Sequence, residues 1–404
     1  MLILVINAGS SSIKYQLLNM DSDSVIAKGL VERIGTSGGS ITHKYLKNGV
    51  SDKKQLHQEF PTHVEGMKLI VELLTAEDFG VINGPSEIKG VGHRIVQGGG
   101  KFNVPVLITE EVKNEIKEMS ALAPLHNPAN LLGIEVAQKF FPDIPQIAVF
   151  DTAFHLTMPP KAFRYAIPNH FYTDYKIRSY GAHGTSHKYV RRQAVEHLNN
   201  QEAKIITIHL GNGSSITAIN EKGESIDTSM GFTPLNGLVM GTRSGDIDPS
   251  VLFYMVRECG VKFEELDDLL NKKSGMLGLT GRSDARDVDE MYKNGDSNAI
   301  LCLDLYSYRV KKYIGAYIAA LNGVDAIVFT AGIGENDTQL RSMICKDLDY
   351  LGIKLDETKN IEFSGPDKVE EIQTNDSKVK IMIIPTNEEL EIANDTVKIL
   401  NEIK

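Results

Sequence analysis

The sequence predicts an α/β fold in two domains, and three observations support this. The chain has 404 residues, which is long enough for two hydrophobic cores. Two glycine- and serine-rich hairpins, at residues 2–18 and 205–219, lie about half a chain apart. Apolar strand patterns also alternate with stretches of helical spacing, as in α/β proteins. We therefore expect two related halves.

The hairpins give the clearest strand patterns, since in each a short apolar run is followed by a tight polar turn and a second run. The predicted strands are 2–6, 13–18, 147–150, 205–209, 216–219, 326–330 and 381–384, and glycine-rich turns are predicted at 7–12, 211–215 and 331–336. Helical spacing predicts helices at 61–74, 109–119, 248–256, 301–321 and 387–402. We place the first domain at residues 1–151, with the last helix, about 387–404, packing back onto it. The second domain is residues 152–386.

Composition excludes several classes of protein. Hydrophobic residues make up 42% and charged residues 24%, the balance of a globular protein. A net charge of −10 argues against nucleic acid as a partner. The three cysteines lack the spacing of a disulfide framework or zinc site, which favours buried reduced thiols. No start typical of a signal peptide and no apolar run of about 20 residues is present, so we expect a cytoplasmic protein without a membrane partner.

Each of the three glycine-rich turns follows an apolar strand. Small residues at such turns let backbone N–H groups approach phosphate oxygens closely. A single turn of this kind is more typical of an ordinary hairpin, whereas three together favour a nucleotide site. None has the P-loop or dinucleotide-binding pattern.

Several charged and imidazole side chains stand in glycine-flanked or rigid loops. Arg94 and Arg243 would supply the local positive charge that an acidic protein needs to bind an anion. Lys14 is either a phosphate contact or a solvated strand lysine. The histidines at 126, 183, 187 and 209 are anion donors or structural groups. Asp151 and Glu388 are candidates for holding Mg²⁺, but a turn cap and a favourable first-turn charge explain them as well.

The chain resembles the acetate kinases, a family within the actin-like, or ribonuclease H-like, group of sugar kinase and chaperone folds. The matching blocks follow the family's order along essentially the whole chain. They are residues 7–14 (NAGSSSIK), 92–96 (GHRIV), 123–128 (APLHNP), 150–155 (FDTAFH), 180–187 (YGAHGTSH), 209–213 (HLGNG), 227–234 (DTSMGFTP), 240–249 (MGTRSGDIDP), 283–287 (SDARD), 331–336 (AGIGEN) and 385–389 (PTNEE). The resemblance implies duplicated βββαβα-type halves with an ATP cleft between them.

The resemblance also implies a reaction and a role for each matching residue. The reaction is reversible transfer of the ATP γ-phosphoryl group to acetate, giving acetyl phosphate and ADP, with Mg²⁺ or alternatively Mn²⁺. The implied metal residues are Asn7 and Glu388, and the implied catalytic residues are Asp151, His183 and Arg243. Substrate binding is implied for Arg94, with Val96, Leu125, His126 and Pro234 around the acyl group. Nucleotide contacts are implied for Lys14, His209, Leu210, Gly211, Asn212, Gly213, Asp284, Ala285, Arg286, Gly332, Ile333, Gly334, Glu335 and Asn336. A homodimer is expected by the same analogy.

The acceptor group constrains the role of Asp151. A carboxylic acid with a pKa of roughly 4 to 5 is already ionised at pH 7 and needs no base. We therefore expect Asp151 to orient Mg²⁺ or an arginine rather than to move a proton. Ala182, a small residue beside His183, leaves a propionate or broader short-chain fatty-acid kinase as the alternative. An actin-like nucleotide switch without catalysis is a more distant one.

Overall fold

The computed structural model describes residues 1–363 and 368–403. Its strands are β1 (Leu2–Ala8), β2 (Ser12–Asn19), β3 (Ser24–Glu32), β4 (Ser40–Lys47), β5 (Val50–His57), β6 (Ile88–Ile95), β7 (Val106–Leu107), β8 (Gln146–Phe150), β9 (Ile205–Leu210), β10 (Ser214–Ile219), β11 (Ser225–Thr228), β12 (Ala326–Thr330), β13 (Glu370–Glu371) and β14 (Lys380–Ile383). Its helices are α1 (His63–Thr75), α2 (Glu110–Glu118), α3 (Asn127–Phe140), α4 (Pro160–Phe163), α5 (His170–Thr173), α6 (Gly184–His197), α7 (Pro249–Glu258), α8 (Leu266–Lys272), α9 (Gly275–Thr280), α10 (Ala285–Lys293), α11 (Ser297–Leu321), α12 (Ala331–Asn336), α13 (Thr338–Cys345), α14 (Glu357–Glu362) and α15 (Glu388–Glu402).

The chain divides into two compact units. Unit 1 is Met1–Ala153 with Asn387–Lys404, and unit 2 is Phe154–Thr386. The domains expected from sequence, 1–151 with about 387–404 and 152–386, include residue 404 and residues 364–367, which lie outside the described residues. None of the described helices combines the length and apolar content that a bilayer crossing requires.

Unit 1 contains an eight-stranded sheet in the order β5-β4-β3-β2-β1-β6-β8-β7. Strands β1 to β5 form an antiparallel meander, whereas β1, β6 and β8 run parallel. Alternate residues of β1 enter two different cores. Leu4, Ile6 and Ala8 join the core with α1 and α3, while Ile3 and Val5 join the core with α15. The part of the sheet around β1 is thus covered by helices on both faces, as buried parallel strands require.

Unit 2 contains a six-stranded sheet in the order β11-β10-β9-β12-β14-β13, of which β9, β12 and β14 run parallel. Ile206, Ile208 and Phe329 face α11, and Ile205 and Val328 face α6. Its first five strands repeat the order of β3-β2-β1-β6-β8 in unit 1. This repetition confirms the two related halves.

The predicted elements compare with the structure as follows. Both hairpins are confirmed, β12 has the predicted bounds, and the predicted helices lie within a few residues of α1, α2, α7, α11 and α15. The predicted turn at 331–336 is wrong, because these residues form α12. The Glu335 carboxylate accepts a hydrogen bond from the Ala331 N–H at 2.7 Å and so satisfies a donor at the helix start. The sequence does not predict strands β3 to β7, β11 and β13, or helices α3 to α6, α8 to α10, α13 and α14.

His43 is a buried imidazole that makes stability depend on pH. Burial lowers its pKa from the ordinary value of 6.5 to about 4. Below pH 6.5 the unfolded chain binds a proton that the folded chain takes up only near pH 4, so this stabilisation is complete above pH 6.5 and is lost as the pH falls. We expect His43→Phe, which keeps a ring beside Tyr45, to reduce the loss of unfolding free energy between pH 7 and pH 5 by about 2 kcal/mol.

Urea unfolding at several pH values measures this difference. His57→Phe on the exposed strand β5 is the control and should keep the wild-type pH dependence. If His43→Phe also kept it, burial of His43 would not be the cause.

Candidate active site

In unit 1 three parallel strands end side by side, and each supplies one polar residue. Asn7 lies near the end of β1, Arg94 near the end of β6, and Asp151 directly after β8. The Asp151 N–H still donates to the Ile95 carbonyl at 2.9 Å, so it extends the pairing by one residue. The three residues therefore stand at the carboxyl ends of parallel strands, where α/β sheets bind ligands.

All three side chains belong to the sheet face that α15 covers. Val5 and Val149 pack with Ile392 of α15. Asn7 and Asp151 follow these valines by two residues, and residues two apart on a strand share a face. The alternation of side chains along a strand thus directs Asn7 and Asp151 to the face that α15 covers.

Arg94 follows Gly92 by two residues on β6, so both lie on the same face of the sheet. Gly92 packs directly against α15. A Cβ added at Gly92 would stand 2.5 Å from Thr396 Oγ1 and 2.8 Å from Ile392 Cγ2. Only glycine lets α15 approach the β6 backbone this closely. The close packing fixes the start of α15, where Glu388 and Glu389 lie.

Arg94 and Asp151 form a buried ion pair through Arg94 Nη2. Asp151 is 1% exposed. Burial by itself would lower the pKa of Arg94, but the charges of Asp151, Glu388 and Glu389 raise it above the ordinary value of 12.5. Arg94 Nε is buried and has no hydrogen-bond partner within the described residues. An anion oxygen would satisfy this donor, since leaving it buried and unpaired costs free energy.

Lys14 lies opposite Asn7 in the β1–β2 hairpin and forms an ion pair with Glu389. This ion pair connects the first turn of α15 to the part of the β1–β2 hairpin that contains Asn7. Lys14 therefore belongs to the polar group of unit 1, and its predicted contact with ATP stays a prediction.

The other predicted acceptor-site residues of unit 1 flank this group. The Val96 N–H donates to Asn130 Oδ1 at 3.1 Å. Leu125 is 57% exposed, and His126 directly precedes α3 as its N-cap. Their predicted contacts with an acyl group stay predictions.

In unit 2, His183 and Arg243 meet beside the turn between β9 and β10. A Cβ added at Gly213 would stand 3.1 Å from His183 Nε2 and 3.6 Å from Arg243 Nη1. His183 has a φ of 56° immediately before α6. Two residues implied for catalysis, 60 positions apart in the sequence, are thereby brought together.

A chain of polar groups supports His183. Its ring stacks on that of His209, with 4.3 Å between the centroids. His209 Nδ1 is hydrogen-bonded to Ser186 Oγ at 2.8 Å, and Ser186 Oγ to Thr386 Oγ1 at 2.8 Å. His155 donates through Nε2 to the Ala182 carbonyl at 2.9 Å, which fixes the residue before His183. His209 is thus a support for His183 in this structure, and its contact with a nucleotide stays a prediction.

Arg243 is partly buried, and burial lowers its pKa. Its Nη1 donates to the Pro234 carbonyl at 3.5 Å, and it has no carboxylate partner among the residues described. The guanidinium is therefore available to an anion. Ala182, beside His183, packs with Met230 and Met240.

A cavity of about 780 Å³ opens near the turn at 211–213. It is lined by Gly211, Asn212, Gly241, Ser283, Asp284, Ala285, Arg286, Asp289, Lys293, Gly332, Ile333, Asn336, Asp337, Thr338 and Gln339. The volume is in the range of small-molecule sites.

The cavity brings together eight of the fourteen residues predicted for nucleotide binding. They are Gly211, Asn212, Asp284, Ala285, Arg286, Gly332, Ile333 and Asn336. The other six, Lys14, His209, Leu210, Gly213, Gly334 and Glu335, are outside its lining. Glu335 Oε1 accepts hydrogen bonds from the N–H groups of Ala331, at 2.7 Å, and Thr386, at 3.0 Å. One of its two carboxylate oxygens is therefore occupied by the backbone.

Two helices begin at the cavity with their own carboxylate caps. Asp284 accepts from the Arg286 N–H at the start of α10, and Asp337 from the Leu340 N–H at the start of α13. The Arg286 side chain also donates to both Asp284 oxygens, and these hydrogen bonds lower the pKa of Asp284 to about 2. The caps already satisfy these helix starts.

Sequence reasoning missed seven residues of the cavity lining. Gly241 and Ser283 lie inside two of the sequence blocks that match the family, 240–249 and 283–287, so the resemblance gave some indication of them. Asp289 and Lys293 lie one and two turns further along α10, and Asp337, Thr338 and Gln339 form the start of α13. Their positions depend on helix packing, which no local pattern reveals.

Comparisons with known proteins agree along the whole chain. Residues 2–394 match the Acetokinase family. The chain is 53% identical over 409 aligned positions to an acetate kinase of Thermotoga maritima, with all of both chains covered. It is 54% identical to an acetate kinase of Thermosipho africanus, covering 100% of this chain and 98% of that protein.

Two solved structures share the fold. The acetate kinase of Porphyromonas gingivalis is 44% identical, with a TM-score of 0.93 and 99% of both chains covered. A propionate kinase from Francisella tularensis is also 44% identical, with a TM-score of 0.90 and 98% and 99% coverage. These similarities support the two-domain actin-like α/β class.

The fold and these similarities define a phosphotransferase of the kinase class, for which ATP and ADP are the implied co-substrates. The chain belongs to the acetokinase family.

Gly241 offers a test of the cavity as a nucleotide site. A Cβ added there would stand 2.3 Å from Asn212 Oδ1 and 2.9 Å from the Ser283 carbonyl, so both must shift. We expect Gly241→Ala to weaken ATP binding at least about 10-fold, or about 1.4 kcal/mol. Isothermal titration calorimetry measures this change.

Gly315→Ala in α11 is the matched control, because an added Cβ there meets nothing within 4 Å. Equal ATP affinity in the two variants would argue against nucleotide binding in the cavity.

Proposed function

We propose that the protein transfers the γ-phosphoryl group of ATP to acetate, reversibly, giving acetyl phosphate and ADP. The observation that supports this most directly is the partly buried Arg94, whose buried Nε donor has no partner within the described residues. A small carboxylate would satisfy that donor, and the acetate kinases similar to this chain act on such an acceptor by name.

Arg94 binds the acceptor carboxylate in this proposal, and Asp151 holds Arg94. A buried guanidinium with one fixed carboxylate partner keeps one orientation and presents its remaining donors to a ligand. Acetate is ionised at pH 7, so no proton has to be removed before attack. The pairing of Asp151 with Arg94 supports a positioning role for Asp151 rather than a role as base.

Unit 2 is proposed as the nucleotide-binding domain, within the predicted bounds 152–386. The cavity takes ATP, and His183 and Arg243 neutralise charge on the transferring phosphoryl group. Phosphoryl transfer depends mainly on positioning and on neutralising the equatorial oxygens. The convergence of His183 and Arg243 beside Gly213 supports this assignment.

Mg²⁺ is proposed to bind at Asn7 and Glu388, with Mn²⁺ as a substitute. The amide oxygen and carboxylate offer the hard oxygen ligands that Mg²⁺ prefers. The neighbouring charged side chains are Lys14, Arg94, Asp151, Glu388 and Glu389, so negative charge exceeds positive by one. A divalent cation would offset that excess. When bound, it would neutralise charge on phosphate oxygens.

Propionate is the second candidate acceptor, because the similar propionate kinase is as identical to this chain as the acetate kinase structure. One methylene in a binding pocket changes the free energy of discrimination by about 1–3 kcal/mol. The preference for acetate over propionate is therefore expected to be smaller than the preference for a carboxylate over a hydroxyl. Val96, Leu125, His126 and Pro234 are the proposed acyl contacts. The homodimer and the cytoplasmic location stay predictions.

Hydroxamate trapping of the acyl phosphate tests the reaction. With Mg-ATP, we expect acetyl hydroxamate from wild type and a loss of at least about 100-fold in kcat/KM for Arg94→Ala and Arg243→Ala, since each removes charge stabilisation at the reacting groups. The control is Arg257→Ala, an exposed arginine of α7 that should keep wild-type rates. Propionate and butyrate are compared in parallel.

ATP binding without acyl phosphate from any acid would reject the kinase proposal in favour of a nucleotide switch. Faster product formation from propionate than from acetate would move the proposal to a propionate kinase.

The metal site has a readout that does not depend on activity. Electron paramagnetic resonance of Mn²⁺ added to the enzyme without nucleotide measures binding directly. We expect Glu388→Gln to weaken Mn²⁺ at least about 10-fold, because a carboxylate ligand becomes a neutral amide. Glu402→Gln, at the far exposed end of α15, should bind Mn²⁺ like wild type. Unchanged affinity in Glu388→Gln would remove Glu388 from the site.

A further inference from the structure

Asn130 lies in the first turn of α3 and is 4% exposed. Its side chain contacts two strands of unit 1. Asn130 Nδ2 donates to the Ala8 carbonyl of β1 at 2.8 Å. Asn130 Oδ1 accepts from the Val96 N–H, directly after β6, at 3.1 Å. One amide therefore joins the ends of two strands.

The bridge begins where the backbone pairing stops. The last paired residues of β1 and β6 are Ile6 and His93. Beyond them, the Ala8 carbonyl and the Val96 N–H both bond to the Asn130 amide, while Ala8 stays paired with Ile13 of β2. The amide acts as a short spacer that satisfies both backbone groups.

The spacer stands beside the two residues that the proposed function needs most in unit 1. Asn7 directly precedes Ala8, and Arg94 precedes Val96 by two residues. A shift of either backbone group would move the candidate metal ligand relative to the acceptor-binding guanidinium. Displacements of about 1 Å are enough to cost an enzyme about 100-fold in rate.

We propose that Asn130 is a positioning residue that sets the spacing between Asn7 and Arg94, and so aligns the metal with the acceptor carboxylate. This inference rests on the proposed function. Asn130 acts through the two strand ends and does not itself touch substrate.

Asn127 provides a matched comparison in the same turn of α3. It is buried, like Asn130, and its amide also makes hydrogen bonds through both its oxygen and its nitrogen. It accepts from the Gln97 N–H at 3.1 Å and donates to the Gln97 carbonyl at 2.9 Å. Its described bonds run to the loop after β6 and to Ile116, and none of them to β1. Asn127 therefore resembles Asn130 in burial and bonding but does not bridge the strand ends.

Two substitutions separate the halves of the bridge. Asn130→Leu has a similar size and removes both hydrogen bonds. Asn130→Asp keeps an oxygen that can accept from Val96, but places a second oxygen against the Ala8 carbonyl, where the donor was. If Asn130→Leu does not fold, Asn130→Asp still tests the link to β1.

Steady-state kinetics with acetate and Mg-ATP varied separately provide the test. We expect the KM for acetate to rise at least about 10-fold in Asn130→Leu and Asn130→Asp, while the KM for Mg-ATP changes less than about 2-fold. Mn²⁺ affinity should fall in both, because Asn7 moves with Ala8. Asn127→Leu should lose thermal stability like Asn130→Leu yet keep the wild-type KM for acetate.

An unchanged KM for acetate in the Asn130 variants, or an equal rise in Asn127→Leu, would overturn the inference and leave Asn130 a structural amide. A different result would reject the proposed function, namely that the wild-type protein forms no acyl phosphate. In that case the Mn²⁺ affinity of the Asn130 variants would still show whether Asn130 sets the spacing between Asn7 and Arg94.

Discussion

The buried ion pair between Arg94 and Asp151 is the interaction on which the polar group of unit 1 depends. Removing one partner from a buried pair leaves an uncompensated charge, which typically costs about 3–5 kcal/mol. Here the pair holds the guanidinium at the carboxyl ends of parallel strands, with Nε still available to a ligand. A pair that leaves a buried donor unsatisfied is a poor stabiliser, so this arrangement fits the proposed binding of a ligand better than a role in folding alone.

The surroundings of the Arg94–Asp151 ion pair depend on the packing of α15 against the β6 backbone. Gly90 and Gly92 leave no room for side chains, because added Cβ atoms would meet Leu400, Thr396 and Ile392. The helix can therefore lie directly on the strand and begin near Arg94. Three acidic residues in its first turn, Glu388, Glu389 and Glu391, also suit the positive end of the helix dipole. Glu388 thus serves both the helix start and the proposed metal site.

Much of the fold could be predicted from the sequence, because the hairpins and the long helix α11 have strong local patterns. Strand β5 escapes prediction for a physical reason. Every residue of β5 is exposed or half-exposed, so the strand lacks the alternation that reveals a half-buried one. The α12 segment resembles a turn because its glycines weaken the helical pattern, and the contact of Glu335 with the Ala331 N–H that satisfies its start is visible only in the folded chain. Among site residues, the motif blocks gave the residue types, but the meeting of His183 with Arg243 follows from tertiary packing.

The two units use the same five-strand order for different chemistry. In unit 1 the strand ends carry charged groups and an amide, which suit a metal and a single small carboxylate. In unit 2 the corresponding strand ends carry His209 and Thr330, and the polar chain through Ser186 and Thr386 supports one imidazole. Arg243 has no carboxylate partner among the described residues, so in the proposed function it is available to a phosphoryl group that brings negative charge of its own. The duplicated sheet supplies the same framework in both units, and the residues at the strand ends differ between them.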